Sequence, residues 1–395
     1  AELQAVVDDP AADAEPGKIL HETRLNEMAN TGEVPFRHYY GSVDSTPLFI
    51  FLAGEYFRRT GDRESIETLW PHLEAACAWI ENAGDRDGDG FFEYGRRNQN
   101  GLRNQGWKDS HDAISHADGR LAEGPIALVE MQAYVYGAWR AMADISKARC
   151  DRAAAREWRA KAADLKQRFN ATFFDEELGC YILALDGDKQ PCRVVSSNAG
   201  HALLTGIATQ RHAEAVAARL LEPDCFSGWG IRTLARGESR YNPISYHNGS
   251  IWPHDNALIA AGFSRYGLQD AVARVFGALF EATFYFDQQR FPELFCGFGR
   301  RHGRGPTLYP VACAPQAWAS GAPMYMIQAA LGLNVCAPDA VRFDKPSLPA
   351  FLSNLSLDGL TCGEASVDLD VQQIGPATSV FVRRAGKNVK VAIGI

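Results

Sequence analysis

The sequence lacks the marks of several large classes of protein. None of its nine cysteines stands in a C-x-x-C pair, so neither a zinc ribbon nor a disulfide framework is indicated. Scattered thiols of this kind suit a reducing compartment, and the cytoplasm is the expected location. Lysine and arginine never run beyond a pair such as Arg58-Arg59, and the formal charge is −8, which argues against a nucleic-acid partner. No apolar run approaches the roughly 20 residues that span a bilayer, so no membrane partner is expected. The opening stretch AELQAVVDDPAADAEPGK has neither a signal-peptide core nor an initiating Met and reads as the start of a segment cut from a longer protein. There is also no G-x-G-x-x-G after a strand and no P-loop, which predicts catalysis without a cofactor.

What is present is apolar and helical. With 395 residues, 46% of them apolar and 11% aromatic, the chain can bury a large core. Apolar residues recur every three to four positions through residues 46–61, 64–84, 123–148, 151–170, 198–222, 254–267, 268–284 and 314–333. This predicts about nine helices, mostly paired through short Gly/Asp turns such as Thr60-Gly61-Asp62. Long segments rich in Gly, Pro, Asn and Trp follow the pairs at 84–123, 222–253 and 287–313, and loops of this length inside a compact domain are usually functional. Hairpins with their elaborate loops on one side point to an all-α toroid of concentric helices over residues 1–335, with a pocket at its mouth. From about Ala337 apolar and polar residues alternate, predicting a small β-rich appendage over 336–395 with a hairpin turn at Arg384-Ala385-Gly386-Lys387.

The candidate chemistry lies in the loops. In GLRNQGWKDSHD, Asp109 follows Trp107 closely enough for the indole to desolvate it and keep it protonated as a general acid. Its alternative task is to cap the next helix through Ser110. Glu293, in QQRFPELFCGFGRR, has an apolar setting that is costly for a carboxylate unless it is bonded or used. Two isolated acids in aromatic loops fit a hydrolase in which one protonates a leaving oxygen and the other activates water. In YYGSVDSTPLF, Asp44 precedes Pro47 and reads either as a sugar ligand or as a helix cap.

Two further stretches raise a metal reading. YHNGSIWPHDNA gathers His247, Asn248, Trp252, His254, Asp255 and Asn256, but the H-D-N order lacks the i, i+4 spacing of a zincin. A sugar platform on Trp252 fits it better. DRDGDGFFEY begins like a calcium loop through Asp85, Asp87 and Asp89, yet the position that needs a bidentate Glu holds Arg96. A tight Gly-rich turn is the first reading there, with an incidental structural calcium as the alternative.

The strings YYGSVDSTPLF, DGDGFFEY, NQGWKDS, YHNGSIWPHDN and FPELFCGF occur in this order between about Gly17 and Leu333. Together they resemble the catalytic domain of the bacterial amylo-alpha-1,6-glucosidase (glycogen debranching enzyme-like) proteins. That group is similar to the wider clan of inverting α-glycosidases that includes processing α-glucosidase and mannosylglycerate hydrolase. The resemblance implies an (α/α)6 toroid and an oligosaccharide or α-glycoside substrate cleaved at its non-reducing end with inversion. It further implies Asp109 as general acid and Glu293 as general base, with Tyr40, Asp44, Gln105, Trp107, Trp252, His254 and Asn256 lining the terminal-sugar subsite. Proteins of this group usually carry an upstream β domain. An (α/α)6 toroid also needs twelve helices, so either short segments such as KILHETRLNEM complete the ring or the remaining helices belong to the segment expected to be missing.

Two other classes compete. A sugar 2-epimerase or isomerase on a similar toroid would use His247 and His254 to move a proton beside a carbonyl. A non-catalytic carbohydrate-binding fragment would use the same tryptophans without turnover.

Overall fold

The computed structural model describes residues 2–375 and 377–394. Ala1, at the head of the expected cut segment, and Pro376 and Ile395, in the expected appendage, lie outside the described residues. Ten α-helices form among the described residues: α1 (Glu27–Asn30), α2 (Ser45–Thr60), α3 (Arg63–Trp79), α4 (Val129–Ala148), α5 (Arg152–Thr172), α6 (Asn198–Thr205), α7 (Gln210–Leu220), α8 (Pro253–Arg265), α9 (Gln269–Thr283) and α10 (Ala317–Leu331). They fall into two compact units. One extends to Glu55 and resumes over Asp62–Val194, and the other combines Tyr56–Gly61 with the chain from Val195 onward.

The first unit is built on the α4–α5 hairpin. Burial along α4 is almost continuous, from Val129 through Ser146, as befits a central helix. Its partner α5 buries only the stripe Ala155, Ala162, Leu165 and Phe169, and its remaining surface carries Lys, Arg, Glu and Asp. Asp151 starts α5 by accepting the N–H groups of Ala153 and Ala154 at 3.1 and 2.9 Å. The same device starts α3, where Asp62 accepts the Ser65 N–H at 3.0 Å.

The second unit packs α6 and α10 against α8, and α8 against α9. Residues 198–222 do not make the single helix that their periodicity predicts. Gly206 adopts φ 87, a left-handed conformation that ends α6, and Thr209 then caps α7 through the His212 N–H. KILHETRLNEM is not helical as a whole either. Only α1, at its end, is helical, because Glu22 pairs with Tyr39 in an extended bridge and draws the preceding residues out of the helix.

The protein is therefore not purely all-α. Strands Leu333–Cys336, Ala340–Asp344 and Lys390–Gly394 form one small sheet, and Asn354–Cys362, Ala365–Ile374 and Ala377–Ala385 form another. Their alternating apolar residues meet in a core of Val335, Val341, Phe343, Val367, Leu369 and Val371, joined by Leu331 from the end of α10. The expected boundary at 335/336 falls within a strand of this region, and the region belongs to the same compact unit as α6–α10. The expected hairpin at residues 384–387 does not form. After that turn the chain leaves its neighbour, and Lys390–Gly394 pairs in parallel with Ala340–Asp344.

Candidate active site

In the first unit, the loop carrying Asp109 is held by a hub that no single sequence window reveals. Asp13 is 1% exposed and accepts hydrogen bonds from the Tyr39 hydroxyl at 2.7 Å, the Arg97 N–H at 2.8 Å and the Gln105 amide at 3.3 Å. The Tyr39 oxygen in turn accepts the Leu102 N–H at 2.8 Å. The Val43 N–H donates to the Gln105 carbonyl at 2.7 Å, tying the segment before α2 to the same loop. Closer to the acid, Tyr94 donates to Asn104 Oδ1 at 2.8 Å, and Asn104 Nδ2 donates to the Ser110 carbonyl at 2.6 Å. Gly106 allows the tight passage between these anchors, since a Cβ there would lie 2.4 Å from Leu128 Cδ1.

Asp109 is partly buried, and that burial pushes its carboxyl above the ordinary aspartate value. His21 pulls it back down, while Glu22 and Asp44 raise it further. Burial likewise raises Asp44, opposed by the Ser42 hydroxyl that donates to it and by His21. Lys108 lies with Nζ 5.0 Å from the centre of the Trp107 ring. The other expected contacts in this unit divide. Tyr40 spends its hydroxyl on the Leu3 carbonyl at 2.9 Å, and Gln105 is 2% exposed and committed to the Asp13 hub. Gln105 therefore helps to position the loop.

The second unit places Glu293 where extended segments cross. Arg232, Ile251, Phe295 and Leu308 form consecutive antiparallel bridges, which bring residues 291–296 beside 307–313. The Glu293 N–H donates to the Cys313 carbonyl at 2.9 Å, and the Cys313 N–H donates to Glu293 Oε2 at 3.2 Å. The Tyr246 hydroxyl donates to Oε1 at 2.6 Å and the Gln316 amide donates to it at 3.4 Å. Three donors thus orient a carboxylate that is 6% exposed.

Around it lies an aromatic cluster, with its members in other roles than expected. Trp252 is 1% exposed, its indole N–H donates to the Tyr246 carbonyl at 2.9 Å, and its ring stacks on His247 at 5.0 Å. It is a buried support for Tyr246. Asn256 gives both amide hydrogens to the carbonyls of Ile231 and Trp252 and accepts the Ile231 N–H, so it fastens a loop to α8. His254 is itself buried, at 7% exposure, and stacks face to face at 3.8 Å on Trp318, which is 42% exposed. Trp318 escapes sequence reasoning because it sits in a stretch that reads as helix. Tyr246 gives no signal of its own beyond opening its motif.

Asp85, Asp87 and Asp89 do converge, with ligand atoms within 4.8 Å of one another. The residues present do not fit a calcium ion, because Lys189 brings its ammonium to 2.8 Å from both Asp87 and Asp89 and also pairs with Glu93. Asp85 is turned inward to accept the N–H groups of Gly88 and Gly90. All nine cysteines are free, and no helix among the described residues is long and apolar enough to cross a membrane.

Comparison with known proteins bears on fold and family. No curated protein matches the sequence. Solved structures share the fold, among them three of different activities by name. A sialidase is 13% identical with TM-score 0.66 over 88% of this chain and 32% of its own. The GH78 family rhamnosidase of Bacillus sp. GL1 is 16% identical with TM-score 0.63 over 89% and 33%. The GH63 mannosylglycerate hydrolase from Thermus thermophilus in complex with glucose is 18% identical with TM-score 0.53 over 73% and 76%. The chain thus spans about a third of the length of the first two. At such identity the likeness concerns the fold alone. The sequence model of the mannosylglycerate hydrolase MGH1-like glycoside hydrolase domain matches residues 19–298. That is well over half of the chain, and the protein belongs to this family of glycoside hydrolase domains.

Proposed function

We propose that the protein hydrolyses an α-glycosidic bond at the non-reducing end of its substrate with inversion of the anomeric centre. In this reading Asp109 protonates the glycosidic oxygen and Glu293 removes a proton from the attacking water. The observation that carries it is that each acid is held in its own fixed setting, Asp109 in an anchored loop and Glu293 by three donors. Asp109 is desolvated and keeps its proton to higher pH than an ordinary aspartate, as a general acid must. Glu293 is buried and aimed by Tyr246, Cys313 and Gln316. Membership of a glycoside hydrolase family supports the same chemistry. In the first unit Trp107, Asp44 and Tyr40 are assigned contacts to the sugar. In the second, the His254–Trp318 stack takes the platform role expected of Trp252. An α-glucoside, with the α-1,6 linkage of the amylo-alpha-1,6-glucosidase proteins foremost, is the proposed substrate, and an α-mannoside is the nearest alternative within the family.

Glycosyl fluorides separate the two roles, because fluoride departs without being protonated. Asp109→Asn is expected to lose at least about a hundredfold in kcat on an O-glycoside while keeping most activity on the α-glycosyl fluoride. Glu293→Gln is expected to fail on both. An Asp109 variant equally impaired on both substrates, or a Glu293 variant active on either, would remove the assignment.

A further inference from the structure

A second feature of the first unit lies outside this reading and stands independently of it. A cleft of about 520 Å³ opens beside Tyr94 and is lined by Arg86, Arg96, Arg97 and Arg103 against a single acid, Glu123. Its volume is that of a small-molecule site. Gathering four guanidinium groups in one cleft is notable in a chain whose formal charge is −8.

The four are not equivalent. Arg86 pairs with Glu15 at 3.1 Å, and Arg97 pairs with Asp8 and lies 3.6 Å from Glu15, so these two are neutralised and serve as fixed wall. Arg96 bonds only to Gln99, through that residue's carbonyl at 3.1 Å and its amide oxygen at 2.8 Å. Among the described residues no carboxylate pairs with Arg96 or Arg103. Both are exposed. The frame that presents them is rigid. Tyr94 and Ile126 exchange backbone hydrogen bonds at 3.1 and 2.9 Å, and the Tyr94 hydroxyl is held by Asn104, the neighbour of Arg103. Beside these charges Pro125 and Ile126 supply an apolar wall. Two uncompensated planar donors on a hydrogen-bonded frame next to the exposed Pro125 match an anionic group carried on a small polar body.

We propose that this cleft binds a small sugar anion, a sugar acid or a sugar phosphate, with its charged group between Arg96 and Arg103. The same segment carries Asp109 six residues beyond Arg103, and Asn104 bonds to both Tyr94 and the Ser110 carbonyl. An occupant would therefore stiffen the loop that holds the acid.

Calorimetric titration of the full chain with D-glucuronate, D-glucose 6-phosphate, inorganic phosphate and D-glucose tests the proposal. Saturable binding of glucuronate or glucose 6-phosphate is expected, weakening with added salt and about tenfold in each of Arg96→Gln and Arg103→Gln. Neutral glucose is expected not to compete. Glucuronate alone would identify a carboxylate ligand, and glucose 6-phosphate alone a phosphate ligand. No saturable heat from either sugar anion, binding of inorganic phosphate only, or binding that survives both substitutions would overturn the assignment. Both arginines are exposed, so the variants are expected to fold, which a circular dichroism spectrum checks directly.

Discussion

Burial of the Asp109 carboxyl has a consequence for stability. Folding removes it from water and raises its pKa above the unfolded value of 3.8. The direction of the linkage follows from that. Above the folded-state pKa the buried carboxylate is a burden on stability, and below the unfolded value both states are protonated and the burden is gone. Asp109→Asn is therefore expected to melt at a higher temperature than the parent at pH 7, with the difference closing as pH falls toward 4. A variant less stable at pH 7 would show that Asp109 acts as a structural anchor. Legibility at this scale was uneven. The acids stood out because a carboxylate beside Trp107 or between Pro292 and Leu294 is chemically odd in one dimension. Tyr39 and Asp13 did not, because their partnership spans 26 residues and a buried hub needs long-range contacts to be seen. Letters also carry no burial, and the hydrogen bonds from Trp252 and Asn256 to neighbouring backbone emerge only in the structure.

Among the elements, the loop over residues 85–93 is the clearest case of one chemistry displacing another. Its acids carry the spacing of a cation site, and a lysine distant in sequence supplies the cation. Burial alone would lower the Lys189 ammonium, but its bonds to Asp87, Asp89 and Glu93 outweigh that and raise it. Burial raises Glu93 in turn, opposed by Lys189. Lys189→Met strands the buried Glu93 and is expected to cost on the order of 2 kcal/mol in chemical denaturation. Adding EDTA to the parent protein is expected to leave its melting temperature unchanged. A drop on chelation would show that a metal shares the loop. Helices such as α2 and α5 were legible because their apolar spacing is regular and their ends carry Pro47 and Asp151. The split between α6 and α7 depended on one glycine conformation, and the final strand depended on a parallel partner some 50 residues earlier, which a hairpin-like turn disguises.

At the scale of the whole molecule, paired helices and the loops after them were visible in periodicity and loop length, and the packing of α4 on α5 and of α8 on α9 agrees with that reading. The two compact units were not, since their division cuts across α2 and returns the end of that helix and its turn, Tyr56–Gly61, to the distant part of the chain. Inverting hydrolysis requires the two carboxyl groups to stand roughly 6.5 to 9.5 Å apart with room for a water, whereas about 5 to 5.5 Å belongs to a retaining nucleophile. Stereochemistry reports that difference without reference to any coordinate. The most direct test is proton NMR of the first turnovers on a panel of α-linked gluco- and manno-disaccharides, including α-1,6-linked isomaltose and mannosylglycerate. The account predicts that the β-anomer of the released sugar appears first and then mutarotates. Initial α-anomer, or epimerised monosaccharide without hydrolysis, would contradict it.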